Sequence, residues 1–201
     1  MDGTLIDSSF AMAQSVNHVR RTLGLSDISK EDLEYHINQP DQHLPKIFYN
    51  TPEYDPNHRA LFREHYMATS TQSIALYPDV KEMLAFMSQR AILGIATNAS
   101  DFFARHMVEH LGIEPYFDYI VGSNNVPEPK PNPQMLELLM EATGSIKEKA
   151  LLVGDSIKDE HAAMNADIPF IFAQWGYGKS ETASMRAHNV HELIALFHVL
   201  I

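Results

Sequence analysis

The sequence predicts an α/β fold: a parallel β-sheet with helices on both faces, together with a smaller, all-helical region near the N-terminus. From residue 77 onward, short apolar segments of strand length alternate with helical segments, an order typical of a parallel sheet covered on both faces. Between residues 8 and 73 the pattern indicates helices and polar connections, with no convincing strand. Polar residues follow several predicted strands, at the edge of a parallel sheet where ligands usually bind.

The segments after residue 77 have the periodicity and the boundary residues of alternating helices and strands. Met83, Leu84 and Met87 recur at helical spacing, and Gly112 and Gly144 follow two helical segments as stop signals. The predicted elements are a helix over Asp79–Gln89, a strand over Ala91–Ala96, a helix over Asp101–Leu111, a strand over Tyr119–Val121, a helix from Asn132 to Thr143, a strand over Ala150–Val153, a helix over Asp159–Asn165 and a strand over Ile168–Phe172.

The region near the N-terminus contains three predicted helices. In the first, apolar residues from Phe10 to Leu23 recur at helical spacing, and Gly24 follows as a stop signal. The second begins at Ser29, which has the position of an N-cap residue. The third covers Asn57–Ala68. For 201 residues, this organisation suggests one core domain with a helical insert.

The composition is that of an ordinary globular protein, and it excludes several functional classes. Hydrophobic residues make up 45% of the chain and charged residues 20%, which excludes a disordered, collagen-like or coiled-coil protein. With 15 Lys and Arg residues against 26 Asp and Glu residues, the formal charge is −11, whereas binding to a nucleic-acid backbone requires basic patches. We therefore expect no nucleic-acid partner.

The sequence shows no sign of a membrane-spanning segment or a signal peptide, and it contains no cysteine. No apolar run approaches the roughly 18 residues that a membrane-spanning helix needs, and the first residues lack the basic and apolar parts of a signal peptide. The absence of cysteine excludes disulfides, thiolate zinc sites and cysteine nucleophiles. We expect no membrane partner and a cytoplasmic location.

Four polar motifs occur in the chain, and three of them lie at or beyond the ends of predicted strands. In chain order they are Asp2-Gly3-Thr4-Leu5, Thr97-Asn98, Lys130 between Pro129 and Pro131, and Gly154-Asp155-Ser156-Ile157-Lys158-Asp159. Together with the helical region and the late Trp175-Gly176-Tyr177-Gly178 segment, they resemble the haloacid dehalogenase-like (HAD) phosphohydrolase superfamily, and most closely its phosphoglycolate phosphatase-like branch. The resemblance covers nearly the whole chain.

The resemblance implies a domain organisation and a reaction class. Residues 1–8 and 74–201 would form a Rossmann-like core, and residues 9–73 would form a small, all-helical cap that closes over the site and selects the leaving group. In this family an aspartate attacks phosphorus and forms an aspartyl-phosphate, which water then cleaves. We therefore expect a phosphatase that acts on a small phosphorylated metabolite.

By position, the resemblance also implies the residues that bind and cleave the phosphate ester. Asp2 would protonate the leaving oxygen and later activate the attacking water. Thr97 would donate its hydroxyl and Asn98 its backbone N–H to the phosphate group. Lys130, in a loop stiffened by the flanking prolines, would balance the charge of phosphate and carboxylates. The expected catalytic residues are Asp2, Thr97 and Lys130.

Mg²⁺ is the expected cofactor. Asp155 and Asp159 supply carboxylate oxygens, which suit this hard cation. The resemblance implies that Asp155 is a direct ligand, that Asp159 is a second ligand or holds bound water, and that Asp2 contributes its backbone carbonyl.

Apart from Asp155, these residues also have a purely structural alternative. Asp2 would cap a Gly-Thr turn, and Thr97 and Asn98 would cap the helix that follows them. Asp159 would be the N-cap of the next predicted helix. Lys130 would be an exposed lysine in a polar loop.

The family pattern begins with a buried strand and a nucleophilic aspartate two positions before Asp2, and neither is present in this sequence. We expect both to lie upstream of residue 1, with Met1 an internal methionine. The 201-residue chain would then form no aspartyl-phosphate. The alternative is a catalytically inactive pseudophosphatase that binds a phosphorylated metabolite or has a regulatory role.

The sequence does not identify the substrate. Phosphoglycolate, a sugar phosphate, a nucleotide and pyrophosphate all remain open, and the protein is expected to be a monomer or a homodimer. Trp175 and Tyr177 are interpreted as packing and loop residues. The cap residues that could contact substrate by position are Asn38, Gln39, Asp41, His43 and Lys46.

Overall fold

The computed structural model describes residues 1–39 and 42–200, which form helices and short strands. The helices of these residues are α1 (Ser9–Thr22), α2 (Lys30–Asn38), α3 (Leu44–Tyr49), α4 (Pro56–Thr69), α5 (Val80–Met87), α6 (Asp101–His110), α7 (Gln134–Thr143), α8 (Ile157–Ala166) and α9 (Val190–Leu200). The strands are β1 (Ile6–Asp7), β2 (Ala75–Leu76), β3 (Gly94–Ala96), β4 (Tyr119–Val121), β5 (Leu152–Gly154), β6 (Phe170–Ala173) and β7 (Arg186–Ala187). None of the helices in these two ranges is both long enough and apolar enough to cross a membrane.

The parallel strands form two ladders. β3 pairs with β4, with Ile95 opposite Ile120, and β5, β6 and β7 form the second ladder, with Val153 opposite Ile171. β1 and β2 pair separately in antiparallel orientation. In the described part of the chain no ladder hydrogen bonds join β3 to β5. The two parallel ladders must therefore be held together by side chains and by the loops at their ends.

Helices cover both faces of the parallel strands, which confirms the predicted fold class. One apolar cluster joins Ile95 and Ile171 to residues of α5, α6 and α9. A second cluster joins Ala96 to residues of α7 and α8. Because both faces are occupied by apolar packing, the carboxyl ends of the strands are the part of the sheet left for polar chemistry.

The helices α1 to α4 lie between β1 and β2 in the chain and have an apolar cluster of their own. Its buried members include Val16, Leu33 and Phe48. Tyr66 of α4 packs in another cluster with residues of the core, including α6. We refer to α1 to α4 as the cap region, after the predicted boundaries of residues 9–73. The cap region therefore packs both internally and against the core.

The short elements are where the structure differs most from the sequence-based expectations. Ser29 accepts a hydrogen bond from the backbone N–H of Asp32 (3.0 Å), which confirms the predicted start of α2. In contrast, β3 begins at Gly94 rather than at the predicted Ala91. The elements α3 and β7 were not predicted, since segments this short show no period. The terminal helix α9 was also missed, although its buried Leu193 lies in an apolar run.

A partly buried polar contact joins the first and last helices of the cap region. The Ser15 hydroxyl lies 3.0 Å from His65 Nδ1, and the His65 ring stacks on His18 with 4.4 Å between centroids. Burial, together with the positive charges of His18 and Arg21, lowers the pKa of His65. Because the folded state disfavours the protonated imidazole, the unfolded state takes up more protons as the pH falls below the ordinary value of about 6.5.

We predict that His65→Asn has a different pH dependence of stability from the unmodified protein between about pH 7.5 and about 5.5, because it lacks the loss of stability on acidification that His65 contributes, while all other titrating groups are the same in both proteins. Above about pH 6.5 the imidazole is neutral in both states, so its contribution to stability is fully present there and is lost on acidification. The melting temperature, measured by circular dichroism across this range, checks the prediction. His110→Asn, at an exposed site on α6, is the control. Equal slopes for His65→Asn and the unmodified protein would contradict it.

Candidate active site

The structure brings the predicted site residues together at one edge of the parallel strands. Thr97 directly follows β3, Asp155 directly follows β5, and Asp159 lies in the first turn of α8. All six predicted residues line one cavity between the strand ends and the cap region: Asp2, Thr97, Asn98, Lys130, Asp155 and Asp159. Their spatial arrangement is thus the one that the parallel sheet implies.

Lys130 carries a buried and paired positive charge. Its Nζ lies 2.6 Å from Asp159 Oδ1 and donates a second hydrogen bond of 2.6 Å to the carbonyl of Ala96, the last residue of β3. The Asn98 side chain holds the Lys130 backbone, accepting from its N–H at 3.0 Å and donating to its carbonyl at 2.8 Å. Lys130 is only 7% exposed, so the alternative of an exposed loop lysine is wrong.

Asp159 is held from two sides. Oδ1 pairs with Lys130, while Oδ2 accepts from the Ser156 hydroxyl at 2.6 Å. Ser156, not Asp159, is the N-cap of α8, so the N-cap alternative for Asp159 is wrong. Burial opposes ionisation of this carboxyl, but the Lys130 ammonium, the Met1 amino group and the hydrogen bonds outweigh burial and lower the pKa of Asp159.

Asp155 lies between the first motif and Tyr177, and its side chain is buried. Oδ1 accepts from the Thr4 hydroxyl at 2.9 Å, and Oδ2 accepts from the backbone N–H of Tyr177 at 3.0 Å. Burial and the neighbouring Asp159 carboxylate raise the pKa of Asp155 to about 6. A carboxylate in a dry site beside a like charge gains from a nearby cation.

Two glycines allow the chain to approach Asp155 this closely. Gly3 has φ of +74°, and a Cβ atom there would lie 2.1 Å from Asp155 Oδ2. A Cβ atom at Gly176 would lie 2.3 Å from Asp155 Cβ. A larger residue at either position would displace the Asp155 carboxylate, so both glycines belong to the site.

Ser8 orients Asp2 and was not predicted. Its fully buried hydroxyl donates to Asp2 Oδ1. Ser8 precedes the first residue of α1, but its side chain makes no capping hydrogen bond to that helix. The hydroxyl therefore orients the Asp2 carboxylate, at the point where the chain passes from the core to the cap region.

Tyr177 links Asp155 to that same junction. Its hydroxyl accepts from the backbone N–H groups of Ser8 (2.6 Å) and Ser9 (3.0 Å) and lies 3.1 Å from Asp7 Oδ1, to which it donates. Burial is the main cause that raises the pKa of Tyr177, so the hydroxyl stays protonated. The packing interpretation for Tyr177 was therefore incomplete, because this residue connects the last motif with the start of the cap region.

Thr97 extends the β3–β4 ladder by one residue and carries a hydroxyl at its end. Its N–H donates to the carbonyl of Val121 at 3.0 Å, and its Oγ1 accepts from the N–H of Ala99 at 3.2 Å. The N-cap of α6 is Ser100, so the alternative that Thr97 and Asn98 cap this helix is wrong. Because Oγ1 acts as an acceptor in this contact, the hydroxyl hydrogen of Thr97 can be donated to a ligand.

The five cap positions named from the sequence have different surroundings. Asn38 lines the cavity. Gln39 follows the end of α2, and Asp41 lies outside the described residues. His43 Nδ1 accepts from the backbone N–H of Lys46 at 3.3 Å, at the start of α3. His43 and Lys46 thus make local helix contacts.

The donor set of this site suits Mg²⁺. In residues 1–39 and 42–200 no group of three or more His, Cys, Asp and Glu side chains could hold a metal ion by itself. Mg²⁺, however, is usually bound by one or two carboxylates and several waters. The raised pKa of Asp155 indicates a carboxylate that a cation would stabilise, whereas Asp159 is already paired with the Lys130 ammonium.

We predict that Tyr177→Phe lowers the free energy of unfolding by about 1–3 kcal/mol, because a buried N–H loses its acceptor. The affected donor is the backbone N–H of Ser8. Urea denaturation measures the change. Tyr35→Phe is the matched control, since Tyr35 is 59% exposed on α2. Unfolding midpoints that coincide for both variants would show that the tyrosine link is not needed for stability.

Comparison with known proteins places this fold and site in a family. The model of the haloacid dehalogenase-like hydrolases matches residues 1–173. A phosphoglycolate phosphatase of Photorhabdus laumondii is 31% identical over 192 residues, covering 92% of this chain and 82% of that protein. A phosphoglycolate phosphatase of Rhodobacter capsulatus is 30% identical over 205 residues, covering 98% and 92%.

Solved structures have the same fold. A haloacid dehalogenase-like hydrolase from Streptococcus pneumoniae superposes with a TM-score of 0.84 at 23% identity, over 98% of this chain and 95% of that one. A HAD-superfamily hydrolase from Geobacter sulfurreducens gives a TM-score of 0.72 at 23% identity, over 97% and 92%. The chain therefore belongs to the haloacid dehalogenase-like hydrolase family, in its phosphoglycolate phosphatase-like branch.

Proposed function

We propose that this protein, a phosphatase of the HAD family, is Mg²⁺-dependent and hydrolyses a small phosphorylated metabolite through an aspartyl-phosphate. One observation carries the proposal: Lys130, Thr97 and the Asp155–Asp159 pair converge at one end of a single cavity. Hydrolysis of a phosphate monoester depends mainly on positioning and on neutralising charge. This group of side chains is suited to both tasks.

Thr97 and Lys130 are the proposed phosphate-binding side chains. An ammonium group has three donors, and Lys130 uses two of them on Ala96 and Asp159. The third can reach a phosphate oxygen while the ion pair stays intact. The Thr97 hydroxyl and the Asn98 backbone N–H, just before α6, would add neutral donors.

Asp2 is the proposed general acid and base. The Ser8 hydroxyl holds Oδ1, and within the described residues Oδ2 has no hydrogen-bond partner. This second oxygen would protonate the leaving oxygen of the ester and later take a proton from the attacking water. Ser8 would keep the carboxyl in the orientation that both steps require.

Asp155 would hold Mg²⁺ directly, with the backbone carbonyl of Asp2, and Asp159 would hold it through bound water. When bound, the ion would neutralise charge on the phosphate group. Lys130 already pairs with one oxygen of Asp159, and the ion would supply further positive charge at this end of the cavity. Positive charge would then surround the phosphate group.

The proposed nucleophile is an aspartate at the position preceding Met1 in the family pattern. Burial lowers the pKa of the Met1 amino group, which also interacts with the charges of Lys130, Asp155 and Asp159. A residue bonded to this nitrogen would lie in the same site. If no such residue takes part, the alternative is a protein that binds phosphorylated metabolites without cleaving them.

Replacement of Asp155 is predicted to reduce Mg²⁺ affinity at least tenfold, about 1.4 kcal/mol, because an amide is a poorer ligand than a carboxylate. Asp155→Asn keeps the size of the side chain. Isothermal titration calorimetry with MgCl₂ measures the affinity, and Asp118→Asn, at an exposed site, is the control. Equal Mg²⁺ affinity in all three proteins would contradict the assignment of Asp155 as metal ligand.

An N-terminal extension tests the position of the nucleophile. We predict that a chain extended by an apolar strand ending in Asp, directly before Met1, hydrolyses p-nitrophenyl phosphate in the presence of Mg²⁺. The same extension ending in Asn should be inactive, because an amide cannot form the acyl-phosphate. Covalent labelling by radioactive phosphate, measured after acid quenching, gives a second readout. Equal activity with Asp and Asn would rule out this position.

A further inference from the structure

The cavity that holds the proposed phosphate site extends far into the cap region. Its volume is about 860 Å³, near the upper end of the roughly 300–1,000 Å³ seen for sites that bind drug-sized ligands. The polar residues described above line the end at the strands. Apolar and aromatic side chains line the cap end, among them Val16, Leu33, Phe48, Tyr49, Phe62 and Tyr66.

This apolar lining belongs to the protein interior. Leu33 and Tyr66 are almost fully covered by other side chains. Met12, Phe62 and Phe103 are half-buried and present apolar surface to the cavity. Removing apolar surface from water is favourable, so an apolar ligand that displaces water from these side chains is stabilised. The shape therefore favours a ligand that reaches beyond the phosphate end.

An aromatic wall connects the two ends. Phe103 of α6 lies 5.2 Å from Tyr66 and 6.1 Å from Phe62 of α4 between ring centroids, in edge-to-face geometry. Phe62 and Tyr66 are stacked at 5.6 Å. All three rings line the cavity. Aromatic rings favour these two packing geometries, so a ring on the leaving group would find matching faces and edges.

The charge of the cap end is positive. Arg59 and Arg63, on successive turns of α4, line the cavity, and the Arg59 guanidinium lies 4.8 Å from the centre of the Tyr54 ring. Among the described residues, the carboxylates lining the cavity are those of Asp2, Asp155 and Asp159, at the strand end. The cap end thus accepts a neutral or anionic group and disfavours a cationic one.

We infer that the leaving group of the substrate has a bulky apolar body, with an aromatic ring as the best fit, and carries no positive charge. The inference rests on the proposed phosphatase function, since it places the phosphate group at Lys130 and Thr97. A two-carbon leaving group such as glycolate would contact little of the apolar lining and would gain little from it.

Phosphonates test the inference without requiring turnover, because their carbon–phosphorus bond is not a substrate for ester hydrolysis. The full chain with Mg²⁺ is titrated by calorimetry with inorganic phosphate, methylphosphonate, phosphonoacetate, benzylphosphonate and 4-(aminomethyl)benzylphosphonate. Burial of a ring is expected to make benzylphosphonate bind roughly 10- to 100-fold more tightly than methylphosphonate. Phosphonoacetate and the aminomethyl compound should bind more weakly than benzylphosphonate.

Two adjacent phenylalanines on α6 provide matched variants. Phe103 lines the cavity, whereas Phe102 is 53% exposed and does not. Phe103→Ser should remove most of the preference for benzylphosphonate and leave phosphate affinity unchanged, while Phe102→Ser should change neither. If circular dichroism shows that Phe103→Ser does not fold, Phe103→Leu replaces it and should reduce the preference by a smaller factor.

Failure of the inference and failure of the proposed function give different results. Equal affinity for methylphosphonate and benzylphosphonate, with phosphate still bound, would overturn the inference about the leaving group and leave the phosphate site intact. Loss of phosphate binding as well as phosphonate binding would overturn the proposed function and the inference with it. A preference for benzylphosphonate that Phe103→Ser leaves unchanged would also overturn the inference, because the ring would then bind elsewhere.

Discussion

The buried ion pair between Lys130 and Asp159 is the contact on which the rest of the site depends. The same ammonium group donates to the carbonyl of Ala96, so one side chain joins the end of β3 to the first turn of α8. In the described residues no strand ladder makes this connection. Removing one partner of such a pair costs about 3–5 kcal/mol, because the other charge remains buried. This ion pair therefore fixes the geometry of the site and also helps to hold β3 and α8 together.

This ion pair also makes the two carboxylates of the last motif unequal. Lys130 and the Ser156 hydroxyl keep Asp159 ionised and fixed. Asp155 accepts hydrogen bonds from neutral groups, and burial together with the Asp159 carboxylate outweighs these bonds and the Met1 amino group, which raises its pKa to about 6. Asp155 is therefore the carboxylate with most to gain from a divalent cation, and Asp159 is the one that positions Lys130. The fold assigns different tasks to two residues of the same type.

The sequence was sufficient to predict the parts of the site that follow from strand order. Thr97 and Asp155 come directly after apolar strands, and parallel strands bring their carboxyl ends to one edge. Lys130 was predicted from the motif pattern and the flanking prolines, but its burial and its bond to Ala96 were not. Element boundaries were less accurate for short strands, since a segment of three residues shows no reliable period.

The contacts that escaped prediction join distant parts of the chain. Ser8 and Tyr177 are 169 positions apart, and no local pattern indicates that a tyrosine hydroxyl will accept from that backbone N–H. The apolar cavity in the cap region was likewise hidden, because Leu33 and Phe48 follow the same periodicity whether they fill a core or line a pocket. Such features depend on how complete helices pack, which the periodicity of a single helix does not determine.

Anomalous X-ray scattering from crystals grown with Mn²⁺ and phosphate tests the central claim most directly. Mn²⁺ prefers the same oxygen ligands as Mg²⁺ and gives a strong signal. We predict one anomalous peak beside the Asp155 carboxylate, with the phosphate between it and the Lys130 ammonium. A peak elsewhere, or phosphate bound away from Lys130 and Thr97, would contradict the assignment of this cavity as a metal-assisted phosphatase site.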